Sequence, residues 1–169
     1  MKILGAILAG GQSRRFGSDK ALAEYEGRRL IDHVASALLP QVDGLVVAGR
    51  DWPDVETVAD LPRPGMGPLA GLAGALDHAR RYGYDAVLSS GCDILGLPVD
   101  LGPQLGAAPA IVEDLPLVGI WPTAMADQLL HWLDSSHRHS VYAFVDYCGA
   151  RRIRLQLPLR NINQPSDLV

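Results

Sequence analysis

Apolar residues along this chain fall into two alternating patterns. Ile3 to Leu8 is a short unbroken apolar run closed by Ala9-Gly10-Gly11, the mark of a buried strand that opens into a glycine-rich loop. Leu30, Ile31, Val34, Ala35, Leu38 and Leu39 then fall on one helical face, and Pro40 stops the helix. Leu45 to Ala48 predicts a second buried strand, and Glu56 to Ala59 a third. After the turn-rich stretch at 61–67, Pro68 suits a first helical position, with Leu69, Leu72, Leu76 and Ala79 at helical spacing. Asp85 to Ser90 predicts another strand, ending in Gly91-Cys92-Asp93, and Ala110 to Val112 and Leu117 to Trp121 predict two more. Helical periodicity returns over 124–134 and 140–148, and Arg152 to Leu157 alternates like a strand. Strands alternating with helices predict an α/β domain with a mostly parallel sheet. Ligands of such sheets bind beyond the carboxyl ends of the strands, which singles out 9–20, 60–68 and 91–96.

Composition narrows the class. With 169 residues, 48% of them hydrophobic and 20% charged, the chain predicts one globular domain spanning 1–169, burying roughly two-thirds of its extended surface. It excludes overall disorder, and the 18 Gly and 12 Pro follow no collagen period. No apolar run reaches the length of a membrane span, and a net charge of -4 argues against general nucleic-acid binding. Cys92 and Cys148 form neither a metal knuckle nor a secreted disulfide framework. The apolar start reads as a strand and not a signal peptide, so a cytoplasmic protein is expected.

Four segments carry candidate chemistry. In Leu8-Ala-Gly-Gly-Gln-Ser-Arg-Arg-Phe-Gly-Ser-Asp-Lys20, Gly10 and Gly11 allow close backbone approach, and Arg14, Arg15 and Lys20 add positive charge. That suits a polyphosphate; an ordinary turn with solvated charges is the alternative. The segment is neither a Walker A loop nor a dinucleotide fingerprint, since Lys20 precedes Ala21 and G-x-G-x-x-G is missing. Lys20 is the only lysine besides Lys2. Asp93, at the end of an apolar strand, suits a Mg²⁺ ligand or a turn. Asp60 with Gly65-Met66-Gly67-Pro68-Leu69-Ala70-Gly71 suits a ligand at a helix start or a loop without one. Asn161-Ile-Asn163-Gln-Pro-Ser-Asp-Leu168 offers amide donors and acceptors, or an Asx-turn. The five histidines are scattered and read as surface or structural, and no G-x-S-x-G elbow is present.

Taken in order, L-A-G-G-x-S-R-R-x-G-x-D-K, G-P-L-A-G, C-D at a strand end and N-I-N-x-P-x-D-L closely resemble the molybdenum cofactor guanylyltransferase family, from residue 3 to the C-terminus. The resemblance implies a three-layer, Rossmann-like nucleotidyltransferase fold. It implies Mg²⁺-dependent transfer of GMP from GTP to molybdopterin, with or without molybdenum. By the same resemblance, Leu8, Ala9, Gly10 and Gly11 approach guanine and phosphates, Lys20 contacts phosphate, and Asp60 lies near the guanosine. Asp93 binds Mg²⁺ and acts with Lys20 and Arg15 in catalysis, while Asn161 and Asn163 line the molybdopterin side or support the metal. The partners implied are GTP, molybdopterin, and molybdenum-insertion and molybdoenzyme-maturation proteins, with no nucleic acid or membrane. The acceptor phosphate is already an anion, so the chemistry needs charge neutralisation and positioning more than a general base.

Two other readings compete. One is a cytidylyltransferase acting on molybdopterin or another small phosphate acceptor; cytosine-reading relatives tend to carry L-A-A-G, whereas this chain has Leu8-Ala9-Gly10-Gly11. The other is a catalytically weak GTP-binding accessory protein for molybdoenzyme maturation.

Overall fold

The structure, a computed structural model, describes residues 1–10, 20–135 and 139–168. Strand β1 (Ile3–Leu8) is followed by a two-stranded hairpin, β2 (Glu24–Tyr25) and β3 (Arg28–Arg29). Helix α1 (Leu30–Leu38) leads to β4 (Gly44–Ala48) and β5 (Glu56–Val58), then to the long α2 (Pro68–Arg81). Next come β6 (Ala86–Gly91), β7 (Ile94–Leu95) and α3 (Leu101–Leu105). The chain continues through β8 (Ala110–Val112), β9 (Leu115–Pro122), α4 (Ala126–Ser135) and α5 (Val141–Cys148). It closes with β10 (Arg151–Ile153) and β11 (Arg160–Asn161).

The main sheet has seven strands in the order β10-β8-β9-β6-β1-β4-β5. Only β9 runs against the rest, pairing antiparallel with β6 and β8, so the sheet is mostly parallel. Side chains alternate across it, as the pleat requires. Leu4, Ala6 and Leu8 of β1 pack with α2, α4 and α5 on one face. Ile7 packs with α1 and α3 on the other. Burial on both faces is why β1 reads as a continuous apolar run and not as an alternating one; β6 is buried throughout as well, with Ser89 and Ser90 hydrogen-bonded to carbonyl oxygens. The three layers expected from the resemblance are therefore present.

Several expectations are corrected. Leu39 is 56% exposed, because the last turn of α1 tightens into a 3-10 turn over Leu39–Gln41 and turns it off the buried face. The strand expected from Asp85 begins at Ala86, and the one expected from Leu117 starts two residues earlier. The alternation over 152–157 yields a strand only through Ile153. The β2–β3 hairpin, β7, α3 and β11 carry no pattern long enough to announce them, since none exceeds five residues.

Helix α2 matters most for the site. Pro68 occupies its first turn and Leu69, Leu72, Leu76 and Ala79 are all buried, as their spacing predicts. The helix presses against the segment leading to Asp60: a Cβ on Gly74 would lie 2.1 Å from the Ala59 carbonyl oxygen. Gly74→Ala raises intrinsic helix propensity by about 1 kcal/mol, yet the backbone collision outweighs that gain. The variant is expected to be less stable than the parent by about 1–3 kcal/mol in urea unfolding.

Candidate active site

The strand order reverses at β1: β4 and β5 lie to one side and β6 to the other. A crevice opens at such a reversal, beyond the carboxyl ends of the strands. Register places three exits level there, because Leu8 pairs with Ala48 on one side and with Gly91 on the other. Ala9 N–H extends the ladder by donating to the Ala48 carbonyl at 2.9 Å, and Gly49 N–H donates to the Val58 carbonyl at 3.3 Å.

Beyond that level, two backbones meet without side chains. Gly49 has a φ of 89°, and a Cβ there would lie 2.4 Å from the Gly10 Cα and 2.7 Å from its nitrogen. Only glycine meets both demands, a left-handed backbone and no side-chain volume. The Asp60 carboxylate sits at this contact. A Cβ on Gly10 would be 3.5 Å from its Oδ2, and Cβ atoms on Gly49 and Gly71 would be 3.4 and 3.5 Å from its Oδ1. Among the described residues nothing donates a hydrogen bond to Asp60. Burial holds its carboxyl above the usual carboxylate range. The arrangement is a half-buried acceptor lined by three glycines. Arg50 follows Gly49, with its guanidinium 5.5 Å from the centre of the Trp52 ring.

On the other side of β1, the Asp93 carboxylate folds back over Gly91, where a Cβ would lie 2.8 Å from its Oδ1. The β7–β11 ribbon joins this point to the asparagine segment. Asn161 pairs with Ile94, and Ile162 N–H donates to the Asp93 carbonyl at 2.9 Å. Ile162 is buried with Leu30 and Leu95, which anchors the segment. Asn161 and Asn163 are both exposed beside it. The Asx-turn alternative fails for Asn163: the Asp167 carboxylate instead accepts from Asn163 N–H at 2.8 Å and Gln164 N–H at 3.0 Å.

Asp93, Asn161 and Asn163 are thus brought together, and Leu8, Ala9, Gly10 and Asp60 form a second group across β1. Gly11, Arg14 and Arg15 lie outside the described residues; Lys20 opens the 3-10 turn Lys20–Leu22. Gly49 and Gly91 line this crevice; Gly91 falls in the 91–96 segment that the sequence singles out, whereas Gly49 is not among the candidate residues read from it. The signal for each was a glycine at or just beyond the end of an apolar strand. Among the described residues no group of three or more acidic, histidine or cysteine side chains gathers as a metal cage. That donor set still fits Mg²⁺, which keeps several waters and takes one or two carboxylates plus substrate phosphates.

A backbone-lined crevice with carboxylates on both sides, in which no described serine hydroxyl bonds a histidine ring, suits a reaction governed by positioning and charge. With the comparisons below, it defines a nucleotidyltransferase. The model of the MobA-like NTP transferase domain matches residues 5–148, and the chain belongs to that family. It is 34% identical to the molybdenum cofactor guanylyltransferase of Acidiphilium cryptum, over 96% of this chain and 90% of that one. The enzyme of the same name from Cereibacter sphaeroides is also 34% identical, over 99% and 94%. The crystal structure of molybdopterin-guanine dinucleotide biosynthesis protein A from Archaeoglobus fulgidus superposes with a TM-score of 0.70. It shares 22% identity and covers 99% of this chain and 95% of that one. Among the described residues no helix is long and apolar enough to cross a membrane.

The raised pKa of Asp60 makes the site a stability cost. A carboxyl whose folded pKa lies above its unfolded one stabilises the fold most when both states are protonated, and loses that contribution as pH rises through the folded pKa. Asp60→Asn removes the cost. The nucleotide-free variant is expected to melt higher than the parent at pH 7, with the difference shrinking toward pH 4. An equal difference at both pH values would show that the charge is not responsible.

Proposed function

We propose that the chain transfers GMP from GTP to molybdopterin, forming molybdopterin guanine dinucleotide and pyrophosphate. The observation that carries the guanine assignment is the Asp60 carboxylate, which has no donor among the described residues and sits beside Gly10 and Gly49. An ionised carboxylate only accepts hydrogen bonds. Guanine offers N1–H and the N2 amino group side by side, two donors for its two oxygens. Cytosine and adenine set a ring-nitrogen acceptor beside their amino donor, so one contact would oppose acceptor to acceptor. The relatives' name, molybdenum cofactor guanylyltransferase, supports the same nucleotide and acceptor.

In this reading Leu8 and Ala9 present backbone to the nucleoside, while Gly10 and Gly11 let the loop close on the phosphates. Lys20 and Arg15 neutralise charge on the phosphates, Lys20 as a compact ammonium and Arg15 as a planar fork. Asp93 would hold Mg²⁺, and Asn161 and Asn163 orient the molybdopterin phosphate beside it. When bound, Mg²⁺ supplies positive charge to the triphosphate. The acceptor phosphate oxygen forms a bond to the α-phosphorus as the bond from that phosphorus to the β-bridging oxygen breaks, and pyrophosphate leaves with its electron pair. The nucleophile is already anionic, so no residue has to remove a proton. GTP as substrate and two free cysteines fit a cytoplasmic setting.

A thermal-shift panel of GTP, CTP, ATP and UTP with Mg²⁺ tests the assignment. Bound at 100 times its dissociation constant, GTP should add about 2.7 kcal/mol of stability, more than any other nucleotide at equal concentration. Asp60→Asn should weaken GTP about 10- to 100-fold, the scale of hydrogen bonds to a charged group. Equal shifts for all four nucleotides would leave a triphosphate site that does not read the base.

A further inference from the structure

A cavity of about 470 Å³ on the α1 side of the sheet takes no part in this site. Its walls come from the β2–β3 hairpin, α1, β7 and β11, and its apolar side from the buried Ile94, Leu95 and Leu97. Two arginines line it. Arg28 Nη2 donates to Ser36 Oγ at 2.6 Å and to the Asp32 carbonyl at 3.2 Å. Arg160 Nη1 donates to the Tyr25 hydroxyl at 3.3 Å, Nη2 donates to the Asp167 carbonyl, and the guanidinium lies 5.3 Å from the centre of the Tyr25 ring.

Each guanidinium carries five N–H donors, so among the described residues these bonds leave three of each without a partner. Among the described residues neither arginine forms an ion pair with a carboxylate. Arg29, next along the chain from Arg28, differs: it is paired with Asp32 at 2.8 Å. Glu26, exposed at the hairpin turn, is the acid on the cavity wall, and it reaches neither guanidinium. His33 Nε2 bonds the Tyr25 carbonyl at 2.7 Å, which fixes that nitrogen as the N–H. The cavity therefore combines positive charge with no carboxylate partner among the described residues, an aromatic ring already holding one guanidinium and an apolar side. Its volume lies in the range of small-molecule sites.

We propose that this cavity binds a small phosphate monoester with a planar apolar body, separately from the nucleotide. The phosphate takes the unpartnered N–H groups of Arg28 and Arg160 through charge-assisted bonds, and the body lies against Leu95 and Leu97. The cavity adjoins the catalytic ribbon: Ile94 follows Asp93, and Arg160 precedes Asn161. An occupied cavity ties down the ribbon that carries Asp93 and Asn161. That consequence rests on the proposed function; the binding does not.

Titration calorimetry on the full chain tests it, with phenyl phosphate as probe and inorganic phosphate and phenol as comparison arms. Saturable binding of phenyl phosphate is expected, tighter than either comparison, and it should persist with GTP held at saturation. Ser36→Asp, a surface change on α1, sets a carboxylate against Arg28 and should weaken phenyl phosphate about tenfold, while Glu26→Gln should tighten it. The GTP thermal shift should stay the same in both variants and report an intact fold. Displacement by GTP would assign the probe to the nucleotide loop and overturn the proposal. So would equal binding of inorganic phosphate, or affinity indifferent to both substitutions. A chain that binds phenyl phosphate as expected but shows no preference for GTP would retain this proposal and lose the guanine assignment.

Discussion

Two glycine backbones in contact set the geometry from which the site follows. Strands β1 and β4 end level, and the chains leaving them converge until Gly49 leaves no room for a Cβ beside Gly10. A side chain at either position would push the exits apart and fill the space beside Asp60. The contact therefore does two jobs: it closes the carboxyl ends of β1 and β4 onto each other, and it keeps half-buried an acceptor that has no donor among the described residues. Such a group costs stability in the empty protein, the usual relation between a prepared site and its fold.

The scaffold absorbs that cost from both faces of the sheet. Helix α2 packs its apolar side onto β1, β4 and β6, and its Gly71 and Gly74 let it approach Asp60 and Ala59 closely. The β7–β11 ribbon does the same on the Asp93 side, with Ile162 buried against Leu30 and Leu95 as its anchor. The asparagine segment is held there by a pair of two-residue strands and a capping carboxylate, Asp167, more than by length. The Asp60 side of the crevice thus rests on backbone shape, and the Asp93 side on a short ribbon.

Much of this was legible in the sequence because it depends on period and punctuation. A continuous apolar run announced β1, which is buried on both faces, and Pro68 with Leu69, Leu72, Leu76 and Ala79 announced α2. Strand ends followed by glycine or acid located the site. What escaped depends on tertiary contact. Gly49 looks like any turn glycine until Gly10 is placed against it, and β7 and β11 become strands only by pairing across 66 residues. Arg152 to Leu157 shows the converse: the alternation is present, but β8 offers a partner only as far as Ile153.

Whether this crevice joins GMP to a phosphate acceptor is decided by turnover. The full chain is incubated with Mg²⁺, GTP labelled at the α-phosphate, and molybdopterin. The label entering a molybdopterin dinucleotide is then compared with the pyrophosphate released. The account predicts equal amounts of the two, dependence on added molybdopterin, and loss of about 30- to 1,000-fold in rate for Lys20→Ala, the scale of one charge-assisted phosphate contact. Pyrophosphate released at the same rate without acceptor, or no labelled dinucleotide in a protein that binds GTP, would contradict it.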